Sequence, residues 1–181
     1  MEKNREDLRL VELFRQGDAN AFAALIKRHK RGVFAVAYKL CGNRDDADEI
    51  AQETFLRFHR YGHTFKGDAS LRTWLTRISV NVARTHLSKS VKNKHIQPTA
   101  DEHIEYLANK SYKKSLPTAI GELLDELSPD HREVLVLFSS GGYSLKDIAS
   151  IVDAPIGTVK SRICYAKRHV ARLCQERGVK P

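Results

Sequence analysis

The sequence predicts an all-α fold made of two small helical domains joined by a flexible linker, the C-terminal one containing a helix-turn-helix. Three observations carry this. Apolar residues recur at the helical period on both sides of the chain's centre, and no segment alternates convincingly as a strand. Between Ser88 and Pro117 that periodicity lapses into SKSVKNKHIQPTADEHIEYLANKSYKKSLP, polar, dotted with lysines and interrupted by Pro98. After it, a short capped helix, a tight turn and a basic helix follow at helix-turn-helix spacing. The expected divisions are therefore residues 1–87, a linker over 88–117, and residues 118–181. Each unit is small for an independent core, so partner surfaces are expected to contribute to their order.

In the first unit, Phe22, Leu25, Ile26, His29, Val33, Val36, Ala37 and Leu40 share one helical face, and Gly42 ends the segment with a residue tolerant of the left-handed C-cap. Asn43 is suited to cap the next helix, whose inward stripe is Ala47, Ile50, Ala51, Phe55 and Phe58, running to Gly62. A further helix is expected from about Ser70 to Leu87, burying Leu71, Trp74, Leu75, Ile78 and Val82 and placing Arg77, Asn81 and Arg84 on another face.

In the second unit, Ser128 and Pro129 start a helix whose Val134, Leu135 and Phe138 are expected inside, stopped by Gly141 and Gly142. Ser144 with Asp147 forms a capping box for a short helix carrying Leu145, Ile148, Ala149 and Val152. Asp153 and Ala154 turn the chain. After Pro155, Ile156, Val159, Ile163, Ala166, Val170 and Leu173 form one stripe. Ser161, Cys164, Tyr165, Arg168 and Arg172 then face outward, with Lys160 and Lys167 on the flanks.

Charge narrows the function. The chain carries 31 basic and 22 acidic residues, a net +9, which suits a polyanionic partner. The excess is uneven: residues 1–87 carry +5, 88–117 carry +3, 118–155 carry −5 and 156–181 carry +6. A small residue at Ala149, a short turn and Val159 beyond it are what a helix-turn-helix needs to project a basic helix into a major groove, the alternative being a solvated helix in an ordinary bundle. Cys41, Cys164 and Cys174 are far apart and show no CxxC spacing, which supports neither a disulfide framework nor a structural zinc site. Nothing calls for a cofactor or a small-molecule substrate. The N-terminus MEKNREDLRL lacks an apolar signal core and no run is long enough to span a bilayer, so a cytoplasmic protein is expected.

Two further clusters invite function. Asp45, Asp46, Asp48, Glu49 and Glu53 crowd the start of a helix. They complement its dipole, each by about 0.3–1 kcal/mol, or hold Mg²⁺ for phosphoryl chemistry, or meet a basic surface on a protein partner. The stretch from Phe58 to Trp74 mixes aromatics with basic residues, a combination that holds unpaired nucleic acid by stacking and phosphate contact. Phe58 and Trp74 are assigned to the core. The strand-holding role falls to residues 65–71 and to the face of Arg77, Asn81 and Arg84.

Taken in order, LVELFRQGDANAFAALIKRH, NRDDADEIAQETFLRFHRY, FKGDASLRTWLTRISVNVARTHL and, after the linker, LDELSPDHREVLVLFSSGGYSLKDIASIVDAPIGTVKSRICYAKRHV resemble the bacterial extracytoplasmic-function sigma factors over nearly all of residues 10–173. The resemblance implies that the DDADEIAQETF helix docks on the clamp helices of core RNA polymerase, with Asp45, Asp48, Glu49, Gln52 and Glu53 as contacts. It implies that Phe65, Lys66, Gly67, Asp68, Ala69, Ser70, Arg77, Asn81 and Arg84 melt and read the −10 element. It implies that Thr158, Lys160, Ser161, Arg162, Cys164, Tyr165 and Arg168 read the −35 element, with Tyr165 standing where family members often carry Arg. An inhibitory anti-sigma factor is an expected partner and the one expected route to the inner membrane. Catalysis would belong to polymerase. The rivals are a plain helix-turn-helix regulator of duplex DNA and a Mg²⁺-dependent nuclease built on the acidic helix.

Overall fold

The computed structural model describes residues 2–93 and 118–178, and among them it is helical throughout, with no strand. The first half holds α1 (Glu2–Arg15), α2 (Ala19–Cys41), α3 (Arg44–Tyr61), a single 3-10 turn (Gly62–Thr64) and α4 (Leu71–Asn93). The second half holds α5 (Thr118–Asp125), α6 (Pro129–Ser139), α7 (Leu145–Val152) and α8 (Ile156–Glu176).

Local chemistry fixes the joints. The Asp18 carboxylate accepts from the amides of Asn20 and Ala21 to start α2, and Gly42 closes it at φ 81° with its N–H on the Tyr38 carbonyl. Asn43 accepts from the Asp46 amide at 2.8 Å to start α3. The turn after α3 needs glycine for space rather than for backbone freedom: a Cβ on Gly62 would lie 2.7 Å from the Phe58 ring. Around it, Phe14, Phe22 and Phe58 stack at centroid separations of 5.3–5.8 Å, and Trp74 sets its edge against Phe58 and Phe65. This aromatic core also contains Val11 of α1, a helix that the sequence reading did not single out.

Three expectations need correction. First, α4 does not end at Leu87 but runs through Asn93, since no glycine or proline intervenes before Pro98 to stop it. Residues 94–117, the remainder of the stretch assigned as linker, lie outside the described residues. Second, α4 is not a helix with one buried stripe. Leu71, Leu75 and Val82 are buried as expected, but so are Thr73, Thr76, Ser79, Val80 and Ala83, while Trp74 and Ile78 are half-buried. The cause is a second neighbour: α7 packs on the side of α4 opposite the first-half core. Third, Phe138 is 44% exposed, with the Lys167 ammonium over its ring, and Leu135 is half-buried. The inward face of α6 is Glu133, Val134, Val136 and Leu137, the phase that meets both α2 and α8. On α8, Ile156 is likewise exposed and Val170 half-buried, while Val159, Ile163, Ala166 and Leu173 are buried.

The two halves share one apolar core. Val36, Ala37, Leu40, Ile50, Val80 and Ala83 from the first half are continuous with Val134, Leu137, Ile148, Ile151, Val152 and Val159 from the second. Removing apolar surface of this kind from water stabilises a contact by about 25 cal/mol per Å².

Candidate nucleic-acid interface

The helix-turn-helix is built by caps. Ser144 accepts from the Asp147 amide while Asp147 accepts from the Ser144 amide at 2.9 Å, completing the expected box at the start of α7. Burial alone would raise the Asp147 pKa, but donation from the Ser144 hydroxyl and amide and from Thr73 outweighs it and holds the carboxyl below its usual range. Asp153 ends α7 in the left-handed conformation at φ 58°, a place where Asp is tolerated, and Pro155 opens α8. Val159 and Ile163 then seat α8 on its neighbours. Its outward face carries Lys160, Ser161, Cys164, Tyr165, Lys167 and Arg168, all exposed, with Thr158 half-buried. Tyr165 is 50% exposed and rests between His131, at 4.5 Å, and His169, at 5.9 Å, so the ring is held upright by its neighbours. Arg162 stands apart from this group: it is half-buried and ion-paired with Asp130 of α6.

On α3, Asp45, Asp48, Glu49 and Gln52 form an exposed rim, with Glu53 half-buried and bonded by Arg57 at 2.7 Å. Glu49 and Asp46 also approach His86 of α4, at 3.3 and 3.8 Å. One residue missed from the sequence continues the rim: Leu56, 55% exposed, lies four positions beyond Gln52 on the same helical row. The signal was available, since Leu56 falls off the Ala47–Phe58 stripe.

The loop before α4 departs from expectation at one position. Phe65 is 3% exposed, its ring packed on Trp74 and its carbonyl held by Arg15, so it is a core residue and not a platform for a base. Lys66 and Asp68 are exposed, Gly67 turns the chain at φ 82°, and Ser70 accepts from the Thr73 amide at 3.1 Å to start α4. Beside the loop, a groove between α3 and α4 is lined by Glu53, Arg57, Arg60, Tyr61, Trp74, Ile78 and Asn81. Tyr61 belongs to the aromatic and basic stretch noted in the sequence, whereas Arg57 and Arg60 were not singled out there. Arg77 and Arg84 lie on the expected face but are engaged: Arg77 approaches Asp153 at 3.9 Å and Arg84 is paired with Glu133. Hydrogen bonding to that carboxylate holds the Arg84 guanidinium charged, above its ordinary pKa.

Comparison with known proteins agrees with this architecture. Residues 25–92 match the model of Sigma-70 region 2 and residues 118–170 that of Sigma-70 region 4. The chain is 32% identical over 170 residues to the ECF RNA polymerase sigma factor SigM of Mycobacterium tuberculosis, covering 93% of this chain and 85% of the relative. It is 27% identical to the RNA polymerase sigma-H factor of Pseudomonas aeruginosa over 94% of each chain, and 29% identical to the ECF RNA polymerase sigma-E factor of Escherichia coli over 97% of each. Its fold is similar to CnrH solved with the cytosolic domain of CnrY, at TM-score 0.70 and 23% identity over 94% of this chain and 98% of that one. It is also similar to the Bartonella quintana sigma factor RpoE solved with the anti-sigma factor NepR, at TM-score 0.68 and 23% identity over 85% and 96%. With region 2 ahead of region 4 and a relative of this identity over nearly the full length, the chain belongs to the extracytoplasmic-function sigma factors.

Proposed function

We propose a division of labour among three faces of this alternative sigma factor, which directs promoter-specific transcription initiation. The α3 rim of Asp45, Asp48, Glu49, Gln52 and Glu53, with Leu56 as its apolar anchor, docks on core RNA polymerase. The outward row of α8, centred on Ser161, Cys164, Tyr165 and Arg168 and flanked by Thr158 and Lys160, reads the −35 duplex, while Arg162 acts by bracing α8 on α6. The Lys66–Ser70 loop, the α3–α4 groove and the face of Arg77, Asn81 and Arg84 capture the −10 strand.

The groove is the observation that carries this reading furthest. It brings two aromatic rings, Tyr61 and Trp74, two guanidinium groups and an amide into one recess. That set offers a stacking face, phosphate contacts and a base-edge partner to an extruded nucleotide. Polymerase makes the phosphodiester bonds, and this chain contributes promoter choice and opening. The rival readings, a plain duplex-binding regulator and a metal-dependent nuclease, give way to family membership. On the same reading, residues 1–87 and 118–181 act as separate domains on polymerase and promoter, and an anti-sigma factor inhibits the chain, by analogy with the similar RpoE bound to the anti-sigma factor NepR. The proposed site of action is the cytoplasm. Among the described residues no helix is long and apolar enough to cross a membrane.

Run-off transcription with purified core polymerase tests the reading. Tyr61→Ala with Lys66→Ala alters exposed side chains only and should leave core binding and −35 recognition intact. It should abolish product from a duplex promoter, and a pre-melted −10 bubble should restore part of it, with permanganate reactivity of thymines reporting the opening. Opening equal to the parent's would overturn the strand-capture assignment.

A further inference from the structure

The outward face of α8 carries two kinds of side chain. Lys160, Lys167, Arg168 and Arg172 are exposed cations, suited to phosphates, which fix a protein's register on duplex without reading its sequence. Ser161, Tyr165 and His169 follow one another at four-residue steps and form a row that holds no lysine or arginine. Tyr165 is the largest member of that row and is 50% exposed.

The Tyr165 ring is held from two elements. His131 of α6 packs against it with ring centres 4.5 Å apart and planes at 35°. His169, one turn further along α8, lies 5.9 Å away with its plane within 10° of the tyrosine's. His131 is itself anchored: its Nδ1 is 2.6 Å from the Ser128 hydroxyl. The neighbouring Asp130 is ion-paired with Arg162, which ties the first turn of α6 to α8. An exposed aromatic side chain without such packing samples several rotamers and must give them up on binding. A ring fixed beforehand does not bear that entropic cost in the complex.

The chemistry of a neutral ring narrows what it can read. It lacks the paired donors that arginine or lysine sets against guanine O6 and N7. What it offers a base edge is apolar surface, and the 5-methyl of thymine is the apolar group of the major groove.

We propose that His131, which lies outside the recognition helix, is a specificity-determining residue for the −35 element, holding Tyr165 in the pose in which its ring meets the 5-methyl group of one thymine. The inference rests on the assignment of the α8 face to the −35 duplex. His131 is a positioning residue, whose effect passes through Tyr165 and needs no contact with DNA.

The test uses the holoenzyme and duplex promoters randomised across the −35 element, at fixed salt. The parent should select thymine at one position. Replacing that thymine by uracil removes only the methyl and should weaken binding about fourfold, the worth of burying one such group. His131→Ala should erase both the thymine selection and the uracil penalty there, while selection at the other −35 positions holds. His131→Gln keeps most of the volume without a ring, should behave as Ala does, and serves if truncation destabilises α6. His131→Phe keeps a flat ring and should retain selection and penalty. Tyr165→Phe should retain them as well, since the hydroxyl is not the reader. His131→Ala combined with Tyr165→Ala should match Tyr165→Ala alone, as expected of a residue that acts only through the ring.

Parental thymine selection in His131→Ala and His131→Gln, or an equal loss at every −35 position, overturns the positioning role. A parent indifferent to uracil, or loss of selection in Tyr165→Phe, overturns the methyl contact. Tyr165→Ala separates these failures from failure of the underlying reading. If it alters −35 selection while the other arms fail, α8 still reads the element through Tyr165 and only the inference falls. If it leaves selection unaltered, the assignment of Tyr165 to base reading has failed, and the inference with it.

Discussion

Arg84 of α4 grips Glu133 of α6 through two nitrogens, Nε at 2.7 Å from one carboxylate oxygen and Nη2 at 2.5 Å from the other. Glu133 is 6% exposed and sits among apolar residues of the shared core. An ion pair so placed gains little net stability over an apolar pair of equal volume, yet losing one partner strands a charge out of water. Its contribution is to fix which way the halves meet.

The first prediction follows from that asymmetry. Arg84→Met should weaken the contact between the halves by about 2–3 kcal/mol, read as faster amide exchange in α7. Adding Glu133→Leu should recover most of the loss, because no unpaired charge then remains. Additive losses in the double variant would show that the pair is not coupled.

Reversing charge on the docking rim should separate affinity from stability. Asp48→Lys with Glu49→Lys changes two exposed positions, so the thermal midpoint should hold within a few degrees. Affinity for core polymerase, titrated at fixed salt, should fall by several kcal/mol if like charges are forced together at a desolvated contact. Leu56→Ala should weaken core binding in the same assay without altering its salt dependence. Core binding at the parent's strength in the Lys variant would return these acids to helix-dipole duty.

Tyr165 and Lys167 should divide specificity from affinity. Tyr165→Ala should relax selection at one −35 position by about 1–3 kcal/mol in a randomised library. Lys167→Ala should weaken all sequences alike and lower the magnitude of the salt slope by about 1. A Tyr165→Ala selection profile identical to the parent's removes Tyr165 from base reading.

The Asp147 carboxylate makes the α4–α7 contact sensitive to acid. Its folded pKa lies below the ordinary carboxylate value, so its contribution is complete above that value and is lost as pH falls through and below it. Protection of α7 should therefore be flat from neutral pH to about pH 5 and decline from about pH 4 downward. Asp147→Asn should flatten that decline; an unchanged acid profile would assign it to other groups.

Space at Gly62 gives a stability test within the aromatic core. Its backbone is ordinary right-handed helix, so alanine meets no torsional objection, only the Phe58 and Phe14 rings at 2.7 and 3.0 Å. Gly62→Ala should cost about 1–3 kcal/mol of unfolding free energy, with Phe58→Leu in the same chain relieving part of it.

The pattern of what was legible in the sequence follows burial. Helix α8 reads correctly along Val159, Ile163, Ala166 and Leu173 because solvent covers its other side and periodicity survives. Helix α4 does not, since α7 covers a second face and the buried residues there are Thr73, Thr76 and Ser79, whose polarity hides the period. Phe138 was placed inside on hydrophobicity, whereas phase puts Glu133 inside instead, and only the Arg84 partner on another element makes a buried glutamate tolerable. Phe65 was misread for the converse reason: a loop position flanked by Lys66 and Gly67 looks exposed until Trp74 is seen beside it. The caps at Asn43, Ser144 and Gly42 were legible because each depends on neighbours within four residues. The contact between the halves was not, because its pairs are separated by about fifty to a hundred residues along the chain, as Arg84–Glu133 and Lys39–Ser140 show.

Trp74 is the only tryptophan in the chain. It is held edge-on by Phe58 and Phe65 while part of its indole lines the α3–α4 groove. Excitation selective for indole therefore addresses a single fluorophore at the recess where a nucleotide would lodge. A stacked base quenches such emission, and displaced water shifts it to shorter wavelength. The unlabelled protein thus carries an optical gauge of groove occupancy, able to time strand capture in a stopped-flow instrument against core polymerase that has been made tryptophan-silent by substitution of a fluorinated analogue.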